Sequence, residues 1–221
     1  MGMIRIPFAL PILCLFSIFN PAFALEKGDH GVSTTLGYYT ADGNFFDAGY
    51  GFDFTYSFWR SSEKALAITA GIQTWNLNKQ LNVEVSGNTA MGTGLTGSAA
   101  LFPVGVSMIW RNPKEGSERL DLGFQLGVQY VFATSDADQL TQAQSPGGAP
   151  STGKNGINIG SNLIGKIAIE VDYLLNEQTD LIFDCGYQMD FLKGDAKAGG
   201  SKIDTVELQG FFLRTGLGYR F

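Results

Sequence analysis

Aromatic and polar side chains alternate along residues 49–59, GYGFDFTYSFW. The even positions from 50 to 58 are all aromatic, whereas the odd positions from 49 to 57 hold glycine, aspartate, threonine or serine. A period of two predicts a β-strand, because successive side chains of a strand point to opposite faces. This strand therefore has one apolar and one polar face, and its own pattern leaves open which face is inside.

The same period recurs in eight segments and predicts an all-β chain. The fifth segment shows it over the longest stretch, with apolar residues from Leu120 to Phe132 alternating mostly with aspartate, glycine and glutamine. The segments cover residues 32–40, 49–59, 66–72, 102–110, 120–132, 163–173, 181–191 and 211–221.

The connections between these segments alternate between short and long. Short turns at one rim and long loops at the other are typical of outer-membrane barrels, whose short turns lie on the periplasmic side. Both termini of an even-stranded barrel lie on that same side. The short connections are residues 60–64, 112–118 and 176–178, and the long ones are residues 41–47, 76–96, 135–156 and 193–202.

Part of the second long connection keeps the two-residue period and predicts a hairpin that rises beyond the bilayer. A tip at residues 87–89 pairs Ser86 with Ala90 and, further down the hairpin, Leu66 with Trp110. The third and fourth barrel strands would then continue upward as one unit.

Two stretches depart from simple alternation. The apolar parity slips between Ile72 and Leu77, and a β-bulge is predicted there because one extra residue restores the alternation. The third long connection, residues 135–156, is rich in serine, glycine, glutamine and proline, and is predicted to be mobile and exposed. Asp136 and Asp138 within it are interpreted as a solvated acidic pair rather than a cation site.

The N-terminal residues 1–24 have the features of a secretory signal peptide. Arg5 supplies the positive charge, residues 8–19 are almost entirely apolar, and Ala22-Phe23-Ala24 matches a small-x-small cleavage site. A transmembrane helix is the alternative, but the apolar stretch is short and a cleavage signal follows it. The sequence therefore predicts a signal peptide over residues 1–24 and one domain over residues 25–221.

Composition limits the partners. The formal net charge of −6 argues against nucleic acid as a ligand. Cys185 is the single cysteine left after the predicted cleavage, so no intrachain disulfide forms, and it is interpreted as a small apolar side chain. The 29 glycines, many of them inside strand patterns, fit a small and strongly curved barrel.

The polar faces of the segments carry most of the charged residues. In a membrane barrel these side chains fill the lumen while the aromatic residues face lipid, whereas a soluble, lipocalin-like barrel has the opposite arrangement. The alternation of short and long connections favours the membrane barrel. The charged residues of the polar faces are Asp53, Asp121, Lys166, Glu170, Asp172, Asp184, Asp190, Arg214 and Arg220.

The chain ends in RTGLGYRF, residues 214–221, with Gly216, Tyr219 and a terminal Phe221. This ending matches the C-terminal signal by which outer-membrane barrels are recognised for assembly. Together with the signal peptide and the strand pattern, it makes the chain resemble the OmpA/OmpX-like class of eight-stranded outer-membrane barrels. The resemblance covers the whole of residues 25–221 in pattern.

This resemblance implies an all-β fold, an eight-stranded antiparallel up-and-down transmembrane β-barrel, in the outer membrane of a Gram-negative-type cell. It implies outer-membrane lipid and the barrel assembly machinery, acting on the C-terminal strand, as partners. Enzymes of this architecture, such as lipid A deacylases and acyltransferases, use a catalytic histidine. The only histidine here is His30, before the first strand, so no Ser–His relay fits in the wall and no enzyme is predicted.

No phosphate loop and no Cys/His metal spacing is present in the sequence, so neither cofactor nor metal is predicted. Eight strands leave an interior just wide enough for side chains. The sequence therefore predicts a barrel with a plugged polar lumen, acting structurally or through its long loops in envelope integrity, adhesion or recognition of a surface ligand. The alternative is a narrow channel or a conduit for small hydrophobic compounds.

A charge cluster is predicted inside this lumen. A short turn centred near Glu177 places Glu170 opposite Asp184, and both face inward. Two such carboxylates repel each other in a space of low dielectric constant, so a cation is required nearby. Arg214 lies beside Asp184 on the next strand and is predicted to engage both carboxylates, with Lys166 assisting.

Overall fold

A computed structural model of the chain describes residues 30–43, 45–61, 63–77, 79–86, 89–112, 120–144, 151–176 and 178–221. Among these residues no helix has the length and apolarity needed to cross a membrane. The predicted signal peptide, residues 1–24, lies outside the described residues.

Twelve strands make up the described secondary structure. In chain order they are β1 (His30–Tyr39), β2 (Phe46–Ser61), β3 (Lys64–Leu77), β4 (Lys79–Ser86), β5 (Thr89–Asn112), β6 (Leu120–Gln144), β7 (Ser151–Ile159), β8 (Asn162–Leu174), β9 (Thr179–Leu192), β10 (Gly194–Ala198), β11 (Ser201–Val206) and β12 (Gly210–Arg220).

Eight of these strands close into an antiparallel barrel. Their order around the wall is β1, β2, β3, β5, β6, β8, β9 and β12. The first strand pairs with the last over nine residues, from Gly31 with Arg220 to Tyr39 with Phe212, so the barrel has no free edge at the level of the wall. The predicted eight-stranded up-and-down barrel is confirmed.

The barrel is apolar outside and mainly polar inside over its lower half, where a small apolar cluster around Trp59 and Ile109 is also buried. On β6, Phe124 is 40% exposed on the outer face, whereas the next residue, Gln125, is 5% exposed in the lumen. Large apolar side chains on the outer face of every wall strand share this exposure, and they form a continuous belt suited to lipid. The alternation therefore has the orientation of a membrane barrel, and the soluble, lipocalin-like alternative is wrong.

The long connections are built mainly from β-strands. Above the belt, β4, β5, β6, β7, β10 and β11 pair in that order as a six-stranded extension of the wall. The prediction of a mobile third connection over residues 135–156 is wrong for its two arms, because β6 continues to Gln144 and pairs with β7. Its tip, residues 145–150, lies outside the described residues.

A bulge is present at the predicted height, but it lies in the partner strand: the β2–β3 register shifts between Phe46 and Gly49, which pair with Leu77 and Trp75. β3 itself is regular. Alternation continues without interruption to the end of the strand, and Trp75 and Leu77 therefore point into the lumen. The register shift of the β4–β5 hairpin lies higher, between Lys79 and Asn82.

That shift also changes the predicted pairs. Ser86 pairs with Thr89 instead of Ala90. Below the register shift, Leu66 pairs with Met108 instead of Trp110. The apolar residues of the upper part of β3 thus line the interior, and no bulge returns them to the lipid face.

Candidate functional site

Arg214 and Asp184 form the best-defined ion pair of the lumen. They face each other on the paired strands β12 and β9. Arg214 donates from Nε to Asp184 Oδ1 at 2.7 Å and from Nη2 to Asp184 Oδ2 at 2.6 Å. This is the two-pronged guanidinium–carboxylate geometry, and both side chains are buried.

Arg214 also reaches two other strands. Its Nη1 donates to Asp53 Oδ2 on β2 at 3.0 Å, and its Nη2 donates to Gln125 Oε1 on β6 at 3.2 Å. Tyr39 donates its hydroxyl to the same oxygen of Asp53 at 2.7 Å. We call these five residues, Arg214, Asp184, Asp53, Gln125 and Tyr39, the Arg214 cluster.

Lys166 is buried close to this cluster. Its Nζ lies 4.3 Å from the ring centroid of Phe212, and Arg214 Cζ lies 5.3 Å from the same centroid. The face of the Phe212 ring carries partial negative charge, so it attracts both cations in the lumen. Lys166 therefore adds a second positive charge beside Asp53 and Asp184.

Glu170 has a different partner from the predicted one. It lies opposite Asp184 in the β8–β9 register, as the turn length predicts. Its carboxylate, however, accepts from Arg111 Nη2 at 2.8 Å, and Arg111 also forms an ion pair with Asp172. The structure thus places Glu170 with Arg111 instead of Arg214.

A glycine between two strands explains this pairing. Gly123 on β6 pairs with Arg111 on β5 and with Glu170 on β8, so the two charged residues are separated by one strand. A Cβ at position 123 would lie 3.3 Å from Arg111 Cγ and 3.5 Å from Glu170 Cβ. Because glycine has no side chain, Arg111 can cross the strand directly.

Arg111 was accessible to sequence reasoning through parity, since it follows the lipid-side Trp110 and must point inward. Its guanidinium stacks 4.4 Å from the Trp59 ring centroid, which fixes its direction.

At the short-turn rim, Arg220 Nε donates to Asp180 Oδ2 at 2.7 Å, and Arg220 Nη2 lies 3.7 Å from Asp121. Between this rim and the Arg214 cluster lies a cavity of about 40 Å³.

The upper half of the lumen is mainly apolar, with a few buried amides such as Gln73 among the apolar side chains, which corrects the prediction of a lumen that is polar throughout. Trp75 is 0% exposed and packs against Tyr39 and Phe46, with ring centroids 6.1 Å and 5.5 Å apart. We call the buried apolar side chains of this region the apolar plug. Its larger members are Tyr39, Phe45, Phe46, Trp75, Leu77, Leu101, Val131, Ile157, Ile159, Ile164, Val206, Leu208 and Phe212.

The C-terminal residues lie on the seam between the first and last strands. The backbone N–H of Phe221 donates to the His30 carbonyl at 3.0 Å, and the two rings stack with centroids 5.8 Å apart. Tyr219 and Phe221 are exposed on the lipid face. Gly216 allows a close approach to Thr34, because a Cβ there would collide with the Thr34 carbonyl oxygen.

Chemically, the lumen offers ion pairs, amides and aromatic rings. His30 lies on the periplasmic rim, 5.4 Å from Phe58 and 5.8 Å from Tyr56 between ring centroids. Within the described ranges, no group of three or more His, Cys, Asp or Glu side chains has metal-binding geometry.

No family model matches the chain, and no curated protein matches it in sequence. Among solved structures, it is similar to the outer membrane protein OprG from Pseudomonas aeruginosa, with a TM-score of 0.56 and 12% identity over 89% of this chain and 97% of OprG. A major outer membrane protein from Thermus thermophilus gives a TM-score of 0.46 with 13% identity over 87% of this chain and 99% of that one.

Neisserial surface protein A (NspA) gives a TM-score of 0.44 with 13% identity over 87% of this chain and 96% of that one. Of these three structures, OprG alone has a TM-score above 0.5, and at this identity it shows the fold alone. The closed wall, the lipid-facing belt and the charged lumen agree with that fold. The chain therefore has an eight-stranded outer-membrane β-barrel fold, similar to that of OprG.

Proposed function

We propose that this protein is a sealed outer-membrane barrel that acts structurally and presents its extracellular strands to partners at the cell surface. The observation that carries the proposal is that side chains fill the lumen at two successive levels. The Arg214 cluster crosses the lower level, and the apolar plug fills the upper one. A wall with such an interior supports a scaffold better than it supports a pore.

The lower level spans the lumen from side to side. Arg214 on β12 is hydrogen-bonded to β9, β2 and β6, and Gln125 continues the connection to Ser107 on β5 at 2.7 Å. These are five of the eight wall strands. A hydrated ion passing this level would have to separate buried, paired charges, which costs several kcal/mol.

The upper level is filled mainly by apolar side chains. Trp75, Phe45 and Leu101 are among the largest fully buried side chains of the described residues, and all three belong to the apolar plug. An ion entering this packed layer would lose its hydration, and the few amides there are already hydrogen-bonded within the layer. The two levels therefore block the same route for different physical reasons.

The extension above the belt supports a surface role. Ion pairs link its strands and their connections, with Lys202 Nζ 2.6 Å from Asp195 Oδ1 on the β10–β11 hairpin and Lys154 paired with Asp138 between β7 and β6. Such a paired sheet holds its outer residues in fixed positions. A surface partner would meet a preformed platform, so less conformational entropy would be lost on binding.

The experiment for the sealed lumen is single-channel recording of the purified protein in planar bilayers. We expect no stable, ohmic conductance of porin size. As a positive control, a variant with Arg214→Ala, Trp75→Ala and Phe45→Ala removes parts of both levels and should raise the frequency of openings. Stable porin-sized conductance of the unaltered protein would exclude a sealed barrel.

A conduit for small hydrophobic compounds is the second candidate, and the apolar lining of the upper lumen favours it. A compound that enters this layer would contact Trp75, and its binding should quench tryptophan fluorescence in a saturable way. The matched comparison is Trp75→Phe, which keeps an aromatic ring and removes that signal. If a small apolar fluorescence acceptor causes no saturable quenching, the conduit is excluded and the sealed barrel is retained.

The remaining partners follow from the same arrangement. Lipid surrounds the apolar belt, and we propose that the barrel assembly machinery recognises the β12 strand through Gly216, Tyr219 and Phe221. We propose no catalytic role, since His30 stacks on Phe221 at the rim and has no neighbouring serine–carboxylate relay among its described contacts.

A further inference from the structure

The extension above the lipid belt continues six of the eight wall positions. β5 and β6 rise through it as single long strands, while β4, β7, β10 and β11 lie above β3, β8, β9 and β12. The positions of β1 and β2 are not continued, because β1 ends at Tyr39 and β2 begins at Phe46. We call the space above these two strands, bounded by β4 and β11, the strand gap.

β4 and β11 border this gap with the edges of their sheet. In the part of the chain that the structure describes, β4 pairs with β5 alone and β11 pairs with β10 alone. An edge strand presents a row of backbone N–H and C=O groups on its open side, and such a row is complementary to another extended backbone. An extended polypeptide is therefore the kind of ligand that these two edges fit.

The directions of the two edge strands specify how many strands fit between them. β4 is antiparallel to β5, which descends to Asn112 at the short-turn rim, so β4 runs away from the membrane. β11 runs toward the membrane, because it leads into β12, which ends at Arg220 on the same rim. A single strand between them would be parallel to one edge. Two strands, the first descending beside β4 and the second ascending beside β11, keep the whole order antiparallel and match the two positions that are not continued.

The floor of the strand gap is acidic. It consists of the β1–β2 connection and the first residues of β2, and the charged residues within residues 40–49 are Asp42 and Asp47. Both are exposed. The neighbouring Glu207 is paired with Lys193, so that pair adds no net charge. A descending strand followed by an ascending one places its turn at this floor, where lysine or arginine would complement the two carboxylates.

We propose that the strand gap binds a β-hairpin of an extracellular polypeptide, which enters turn first and carries lysine or arginine in its turn. This inference rests on the proposed surface role and names the kind of partner. One strand of the hairpin pairs with the open edge of β4, and the other pairs with that of β11. The extension then closes into a ring of eight strands above the eight-stranded wall.

A second copy of this chain fits the gap less well. Its barrel would meet the outer faces of β1 and β2, where Tyr38 and Tyr50 are exposed below the gap. Sheets that pack face to face lie about 10 Å apart, whereas paired strands lie about 4.8 Å apart. The side chains of the two lipid belts would therefore hold the copies too far apart for pairing, while a hairpin that enters from above meets no such layer.

The test uses the purified protein in lipid vesicles and a synthetic hairpin peptide. The peptide has two strands of alternating threonine and valine, joined by an Asn-Gly turn that lysines flank. Amide hydrogen exchange, followed by mass spectrometry, should slow at residues 79–86 and 201–206 together, because one hairpin covers both edges. A matched peptide, N-methylated at the amides that point outward from the hairpin, loses these hydrogen bonds and should bind about tenfold more weakly.

Variants of the protein locate the turn. Asp42→Asn combined with Asp47→Asn removes the acidic floor and should weaken binding of the lysine peptide and reduce its dependence on salt. Asp136→Asn combined with Asp138→Asn is the matched control. It also removes two carboxylates, but both lie on β6, two strands away from the β4 edge, so binding should be unchanged.

Three outcomes overturn the proposal. The first is unchanged exchange at both edges with peptide at up to about 1 mM, which is the weak end of specific affinities. The second is equal protection by the N-methylated peptide, which would show that the backbone edges are not the binding site. The third is protection of both edges without peptide that rises with the protein-to-lipid ratio, which would assign the gap to a second copy. Each of them leaves the bilayer conductance unaffected, so failure of this inference is distinguishable from failure of the sealed barrel.

Discussion

Replacing Arg214 by alanine tests the energetic role of the Arg214 cluster. The change removes the guanidinium and leaves Asp184 and Asp53 buried, with three hydrogen bonds to carboxylate oxygens lost. Lys166 remains in the same layer, where its ammonium group lies over the Phe212 ring. Among the described residues it forms no ion pair with either carboxylate. We therefore expect Arg214→Ala to lower the free energy of unfolding by as much as breaking a buried ion pair does.

The expected size follows from these contacts. A hydrogen bond to a charged group contributes about 1.5–3 kcal/mol net, so three of them give an upper range of about 4.5–9 kcal/mol. Removal of Arg214 also abolishes its own desolvation cost, which lowers the total. Broken buried pairs lose about 3–5 kcal/mol, and we expect Arg214→Ala to fall in that range.

A double-mutant cycle with Asp184→Ala isolates the pair from the other contacts. Each variant is unfolded with urea in lipid vesicles and followed by tryptophan fluorescence. Contacting residues have coupling energies of about 0.5–3 kcal/mol, and the two-pronged geometry places this pair near the upper end. We expect the double variant to be more stable than the sum of the single losses predicts, because it removes both charges together.

Arg220→Ala provides the matched control. Arg220 also pairs with a lumen aspartate, but its side chain is 28% exposed at the rim. Water can replace part of this contact, but the partner Asp180 is buried, so the loss of unfolding free energy should exceed the roughly 1 kcal/mol of an exposed pair and stay below that of Arg214→Ala. If the Arg214 and Asp184 losses are additive, or if Arg214→Ala costs no more than Arg220→Ala, the buried ion pair does not stabilise the wall.

Three further predictions concern the C-terminal residue, the crossing glycine and the apolar plug. Deletion of Phe221 should impair assembly. A deletion variant that reaches the outer membrane, and whose barrel resists unfolding in SDS without heating as well as the unaltered protein does, would contradict this. Gly123→Leu should cost about 3–5 kcal/mol in urea unfolding by separating Arg111 from its carboxylates, whereas Gly123→Ala should cost clearly less. Trp75→Ala should cost about 3–5 kcal/mol because it opens a cavity in the plug, while the lipid-exposed Leu126→Ala should cost far less; equal losses would show that the plug is loosely packed.

Wall strands, and the register of strands joined by a short turn, were predictable because both depend on local information. The period of two identifies each strand from its own residues, and a short turn fixes the pairing of its two arms. The turn between β8 and β9 thus places Glu170 opposite Asp184, and the structure has this pair. Register follows from counting along the chain, with no knowledge of the closed barrel.

The choice of ion-pair partners was less predictable, because it depends on which side chains reach across the lumen. Arg214 contacts its strand neighbour Asp184, but its next carboxylate, Asp53, lies two strands away. Glu170 lies beside Asp184 and yet pairs across Gly123 with Arg111. These contacts depend on the length of the side chains and on the positions of glycines in several strands at once. The alternation pattern of a single strand predicts neither.

The upper lumen shows how a correct observation led to a wrong interpretation. The parity change between Ile72 and Leu77 is present in the sequence, and a bulge was the explanation that kept every apolar residue facing lipid. In the structure the strand is regular, and the interior changes from polar to apolar at that height. Trp75 occupies a position whose side chain points into the lumen, so this tryptophan already indicated an apolar plug.

The contacts of Arg214 also have a mechanical consequence. Its bonds join β12 to strands two positions away on one side of the circle and three positions away on the other, so they run as chords across the cross-section instead of along its circumference. Backbone pairing resists separation of adjacent strands but opposes flattening of the ring only weakly. Chords change length when a circle becomes an ellipse. Arg214 should therefore make the barrel resist ovalisation under the lateral pressure of the bilayer, and Arg214→Ala should broaden the distribution of distances between spin labels placed on opposite strands.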